Sequence, residues 1–263
     1  MIIRLRIALA LVMVSLATIV MGPIQILGLV FDWKIRRRLP GIWHRIACRM
    51  IGLKVHTNGT ADKRRPLMIA ANHSSWLDIL VLSAVADVVF VAKAEVKTWP
   101  VFSTLARLQA TIFVVREERR KTGEQVNEIA ERMTAGEIVV LFPEGTTSDG
   151  NHMLPIKSSL FGAAASAIPG SADGTVYIQP VSIAYTRVHG MPMGRYHRPI
   201  ASWPGDTELM PHLTTILKTG SLDAEVTFCE SVPFTARSNR KAIAATVQNE
   251  IETAFLASIN SPR

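Results

Sequence analysis

One histidine in this chain sits where its type and its neighbours could do chemistry. His73 lies in the segment Ala71-Asn72-His73-Ser74-Ser75-Trp76-Leu77-Asp78, directly after the apolar run Leu67 to Ala71, which reads as a strand. Ser74 or Ser75 is placed to cap a helix starting near Trp76. A strand end that opens into a helix is a common seat for catalytic side chains in α/β sheets. Asp78 follows His73 by five residues, about one and a half helical turns. A carboxylate folded back onto one imidazole nitrogen fixes the tautomer and raises the basicity of the other. No Ser or Cys nucleophile stands in a recognisable setting, so the proton such a base removes would come from a substrate hydroxyl. The plainer alternative is an Asn-His turn with Asp78 as a helix-start residue, and spacing alone leaves both open.

A second polar turn closes another apolar run. Phe142-Pro143-Glu144-Gly145-Thr146-Thr147-Ser148 follows the strand pattern Ile138 to Phe142. Gly145 permits close backbone approach, the hydroxyls of Thr146 and its neighbours donate hydrogen bonds, and Glu144 can accept from a substrate hydroxyl. Alone this segment reads as a turn. Two polar turns at the ends of apolar strands can meet at one sheet edge and form a site.

The elements that must position these turns are legible as patterns. Leu67 to Ala71, Val88 to Ala92, Ile112 to Val115, Ile138 to Phe142, Val176 to Tyr185 and Ala224 to Cys229 read as strands, some of them buried on both faces. Helical stripes separate most of them, notably Thr122 to Ala135, and Asn239 to Ala257 closes the chain. The expected fold is α/β: a central, mostly parallel or mixed sheet flanked by helices, preceded by a membrane-anchoring helix or kinked helix pair. Residues 1–53 form the anchor and its basic interfacial helix, and residues 54–263 the catalytic domain.

Charge supports that division. The chain of 263 residues carries 29 Lys and Arg against 21 Asp and Glu, for +8, yet residues 1–65 alone hold +10. Ile7 to Val30 is uncharged over 24 residues, about 36 Å as a helix against a hydrocarbon core of about 30 Å. Gly22-Pro23 interrupts it, so a kinked or re-entrant pair and a straight span are both open. Lys34, Arg36, Arg37, Arg38, Arg45 and Arg49 follow it, which by the positive-inside rule keeps the rest cytoplasmic. Trp43 to Leu53 reads as an interfacial helix whose cations meet anionic lipid headgroups. Basic residues that adjoin a long apolar run point to a membrane surface and away from nucleic acid.

Other chemistries lack their signatures. Neither a dinucleotide glycine fingerprint, nor a phosphate loop, nor a Gly-x-Ser-x-Gly elbow occurs. Cys48 and Cys229 cannot build a disulfide framework and read as small apolar fillers. His44, His56, His152, His189, His197 and His212 lack acidic or cysteine neighbours at ligand spacing and read as surface or loop residues.

The pair NHSSWLD at 72–78 and FPEGTTS at 142–148, after an N-terminal membrane segment, resembles the lysophospholipid acyltransferase family, in particular its bacterial 1-acylglycerol-3-phosphate acyltransferases. The resemblance implies acyl transfer from acyl carrier protein or coenzyme A to a lysolipid hydroxyl, with these thioesters as co-substrates and no further cofactor or metal. It implies that His73 is the general base and Asp78 its orienting partner. It also implies acceptor binding by Asn72, Arg116, Glu144, Gly145 and Thr146, and links Pro180, within Val176 to Tyr185, to the acyl donor. Two departures bear on the acceptor. Gln109-Ala110 stands where the second block usually opens with glycine, and Thr147 where the third often has arginine. One cation fewer suits a less anionic head group, so lyso-ornithine lipid is the alternative to lysophosphatidate. A membrane-bound hydrolase and a non-catalytic lipid binder are the readings from other classes.

Overall fold

A computed structural model describes residues 1–115, 119–205 and 207–261 of the chain. The N-terminal run forms one continuous helix, α1 (Ile2–Val30), with Pro23 inside it, and the chain turns back at residues 31–34 into α2 (Ile35–Ile51). The anchor is therefore a helical hairpin. The interfacial helix expected over 43–53 begins eight residues earlier and turns Leu39, His44, Ala47 and Cys48 inward. Gly52, at φ 79°, ends it in the left-handed region.

Beyond the hairpin come β1 (Leu53–Asn58), β2 (Leu67–Ala71), α3 (Leu77–Val85), β3 (Val88–Lys93), α4 (Phe102–Leu108), β4 (Ile112–Val114) and α5 (Arg119–Thr134). They are followed by β5 (Ile138–Leu141), α6 (Gly162–Ala167), β6 (Thr175–Val188), β7 (Met191–Pro192), α7 (Leu209–Thr219), β8 (Leu222–Phe228), β9 (Val232–Thr235) and α8 (Arg240–Asn260). Each of the six apolar runs seeds a strand. β1, β7 and β9 were not expected, because their polar or proline-containing sequences carry little alternation.

Among the described residues the strands form one mixed sheet of order β1-β8-β6-β2-β5-β3-β4, with β7 and β9 added on β6. β2, β3, β4 and β5 run parallel, β6 runs parallel to β2, and β8 and β9 run antiparallel to β6. Alternate residues of β2 divide the core. Leu67, Ile69 and Ala71 pack with α3, whereas Met68 and Ala70 pack with residues of α5, α6 and α8. β2 is thus buried on both faces, which is why it reads as an unbroken apolar run.

The hairpin is fastened to this domain along its length. Near the start of α1, the Arg6 guanidinium donates to the Leu217 and Lys218 carbonyls at the end of α7. Near its end, Gln25 Nε2 donates to the Leu108 carbonyl of α4 at 2.7 Å. These ties are 19 residues apart, about 28 Å along a helix. Although α1 is long and apolar enough to cross a bilayer, a helix tied at both ends to one domain lies along that domain. Its outward face leaves Leu5, Leu9, Val12, Leu16 and Ile19 exposed.

The basic cluster is also partly structural. Arg36 pairs with Asp32 at 2.6 Å and with buried Glu137 at 2.7 Å, and Glu137 pairs in turn with Arg132. Arg37 donates to the Ala135 carbonyl, and Arg45 to that of Ala84. Truncating Glu137 would strand two cations at the hairpin's seat. Glu137→Ala should lower unfolding stability by about 2–3 kcal/mol, and Arg38→Ala, an exposed change, by less than about 0.5 kcal/mol; thermal unfolding of the purified protein checks both.

Candidate active site

The two polar turns meet because their strands are neighbours. β2 and β5 pair in parallel with Ala70 opposite Leu141, so the residues after each strand leave the sheet side by side. The crossover after β2 leads to β3 on one side, and the one after β5 leads back to β6 on the other. Such divergence is where open α/β sheets hold ligands. Ser148 N–H donates to the His73 carbonyl at 2.8 Å, and His73 N–H donates to Glu144 Oε1 at 2.9 Å, so each turn holds the other's backbone.

His73 and Asp78 form the expected pair, with Nδ1 and Oδ2 2.8 Å apart. At the start of α3 the Ser75 hydroxyl oxygen accepts from Leu77 N–H at 3.3 Å, as expected of a serine there. Asp78 Oδ2 also reaches back to accept from Ser74 N–H at 2.8 Å and Ser75 N–H at 3.0 Å. Its other oxygen accepts from Tyr185 O–H at 2.7 Å. Asp78 is fully buried, and every neighbour it meets this way is a donor. The imidazole proton therefore sits on Nδ1, and Nε2 carries the free lone pair. No hydrogen bond among the described residues takes up Nε2. The ring stacks on Phe142 at 4.0 Å and 15°, and Phe142 on Phe90 at 6.3 Å, so packing as well as hydrogen bonding sets its plane. The arrangement is an imidazole with one nitrogen unbonded among the described residues, at the mouth of a sheet edge.

The remaining expected site residues divide. Gly145 sits at the turn with φ 79°, and Thr146 beside it is exposed. Glu144 is buried, and Oε1 and Oε2 accept from the backbone N–H groups of His73 and Leu154 at 2.9 and 3.0 Å. The carboxyl joins two loops. Burial pushes it up to about 7, and the Asp78 charge adds to that rise, while the two amide hydrogen bonds oppose it. Asn72 is likewise turned inward. Its Oδ1 accepts from Ile183 N–H at 2.7 Å and its Nδ2 donates to the Ile183 carbonyl at 2.9 Å, bracing β2 against β6. Pro180 lies buried within β6, opposite Ala70. Arg116 lies outside the described residues.

A third segment closes on the turns. Trp203 N–H donates to the Ser74 carbonyl at 2.7 Å, and the Thr147 hydroxyl donates to the Trp203 carbonyl at 2.6 Å. Gly150, at φ 74°, lies so close that a Cβ would collide with Ser202 Oγ. Other histidines correct the sequence reading. His44 is buried, bonds the Pro40 carbonyl at 2.7 Å and is held down to about 4 by burial. His212 is buried too and accepts from Trp76 Nε1 at 2.9 Å, while His56 pairs with Asp223 at 3.0 Å. Their partners come from 136 and 167 residues away, beyond the reach of spacing.

Residues 52–184 match the family described as Acyltransferase. The chain belongs to that family. This acyltransferase is 57% identical to the lyso-ornithine lipid O-acyltransferase of Rhizobium meliloti, over 94% of the chain and 84% of that protein. It is 53% identical to the protein of the same name from Brucella abortus, over 92% and 90%. A 1-acyl-sn-glycerol-3-phosphate acyltransferase of Neisseria gonorrhoeae is 38% identical over 46% of the chain and 48% of its own length. The crystal structure of the 1-acyl-sn-glycerophosphate (LPA) acyltransferase PlsC from Thermotoga maritima superposes with a TM-score of 0.67, covering 99% of both chains at 20% identity, and shows the same fold.

Tyr185 is the residue of this acyltransferase's site that spacing missed. It was legible as the end of a strand, but its contact spans 107 residues. The Glu144 carboxyl gives the site a measurable signature. Because its folded value lies above the ordinary 4.5, the stability it contributes is complete below about 4.5 and lost as pH rises through about 7. The unfolding midpoint of the acyltransferase should fall by several degrees between pH 5 and pH 8 through this group. Glu144→Gln should remove that dependence, and, by setting an amide NH₂ against a backbone N–H, cost about 1–3 kcal/mol at pH 5; thermal unfolding across pH tests it.

Proposed function

We propose that the acyltransferase esterifies the free hydroxyl of a lyso-ornithine lipid with a fatty acyl group taken from acyl carrier protein or coenzyme A. The acceptor rests on one observation, the similarity to lyso-ornithine lipid O-acyltransferases over nearly the whole chain. Thr147 agrees with it. Where related sequences often have arginine, this hydroxyl is spent on the Trp203 carbonyl and supplies no cation for a phosphate. Lysophosphatidate, the acceptor named for the Neisseria relative, is the second reading, and Arg116 is the residue that would favour it.

The chemistry follows from the His73–Asp78 pair. Nε2 takes the proton of the acceptor hydroxyl as its oxygen attacks the thioester carbonyl. A carbon–oxygen bond forms, the carbon–sulfur bond breaks, and the proton passes to the leaving thiolate, so that an ester and a free thiol result. Asp78 holds the Nδ1 proton and steadies the transient imidazolium. Glu144 acts by fixing the His73 backbone, and half-buried Gly145 and exposed Thr146 form part of the rim. α1, lying along the domain with its apolar face outward, embeds in the cytoplasmic leaflet of the inner membrane and keeps this rim near the lipid.

Two measurements test this reading. With labelled acyl donor, kcat/KM should be at least about tenfold higher for lyso-ornithine lipid than for lysophosphatidate, a difference of about 1.4 kcal/mol in transition-state binding. The reverse order would overturn the acceptor assignment, and acceptor-independent release of fatty acid would show a hydrolase. His73→Ala should lower kcat by about a thousandfold while vesicle binding is retained; substantial residual turnover would exclude His73 as the base.

A further inference from the structure

The buried Asp78 carboxylate draws its donors unequally. Oδ2 accepts from His73 Nδ1, Ser74 N–H and Ser75 N–H, all within its own turn. Oδ1 accepts from the Tyr185 hydroxyl at 2.7 Å, and that donor comes from β6, across the sheet edge. Tyr185 is 4% exposed and packs in the same core cluster as Cys48 of α2. β6 can supply it because it runs past the end of β2: Ala71 pairs with Val181, and Tyr185 stands four residues further on.

We propose that Tyr185 is a positioning residue for acyl transfer, holding Asp78 Oδ1 so that Oδ2 faces His73 and setting the basicity of Nε2 through that bond. A donor to the carboxylate stabilises its charge and so weakens its pull on an imidazolium proton. Without the hydroxyl, Oδ1 is left buried and unpartnered, and the carboxylate is free to turn among its other donors. Asp78 and His73 then hold a proton to higher pH, which withdraws the base. The other titratable groups nearby are Glu144, bound to the His73 backbone, and Cys48, facing Tyr185 from α2 with its thiol pushed up to about 12 by burial. Neither is removed by changing Tyr185.

Tyr185→Phe deletes one oxygen and keeps the ring. In the full-length protein, kcat should fall by about ten- to thirtyfold, and the acid limb of kcat/KM should move up by about half to one pH unit. KM for donor and acceptor should stay within about twofold, because a buried side chain touches neither. On an Asp78→Asn background the same change should cost no further activity. In a Tyr177→Phe, Tyr196→Phe background, which leaves Tyr185 as the one tyrosine of the chain's three, its replacement with 3-fluorotyrosine strengthens the donor and should move the acid limb down even if the Phe variant folds poorly. An unmoved acid limb in both proteins, a loss confined to KM, or an equal loss on the Asp78→Asn background would overturn the proposal. It rests on His73 as the base: a wild type inactive on every lysolipid would remove that reading, whereas an active wild type matched by Tyr185→Phe would remove Tyr185 alone.

Discussion

A carboxylate with no exposed surface is the constraint around which the rest of this site is arranged. An unpaired charge in such a place would cost many kilocalories, so Asp78 must find donors on every side, and each donor fixes a piece of the fold. The serine amides require the turn after β2 to curl inward before α3 begins. The tyrosine requires β6 to extend beyond its neighbour. The imidazole is oriented last, by the one remaining direction and by its stack on Phe142. Glu144 repeats this logic one strand away, with two backbone amides as its donors. Both acidic residues thus act on the shape of the histidine turn.

The hairpin is built into the same body. Cys48 and Leu53 share a cluster with Ile69, Leu77 and Tyr185, so the core that packs behind the histidine turn is partly made of the anchor. Glu137 binds Arg36 from the hairpin and Arg132 from α5, which joins the anchor to the far side of the sheet. Positive charge near a membrane segment is usually read as lipid attraction. Here part of it is consumed inside the protein, while residues such as Arg38 and Arg49 stay exposed.

What could be read before the structure followed from local order. β2 and β5 were legible because strands buried on both faces read as unbroken apolar runs, and the His73–Asp78 pair was legible as one of two readings, because a five-residue spacing lets the carboxylate fold back on the imidazole. β1, half exposed and polar at its end, lacked that signal. The bonds of Glu144 to the His73 and Leu154 amides were not legible, because sequence shows a side chain's chemistry and not its direction. The same holds for Asn72, whose partner Ile183 lies 111 residues on. The hairpin's lie against the domain depends on Arg6 and Gln25 meeting carbonyls of α7 and α4, contacts that no hydropathy pattern encodes.

That lie has a kinetic meaning. An enzyme whose apolar helix runs parallel to its catalytic body meets its lipid by lateral diffusion in a plane, and hands back product to the plane it came from. The relevant concentration of acceptor is then its mole fraction in the leaflet. Adding inert phospholipid at constant total acceptor would slow such an enzyme as surely as removing acceptor.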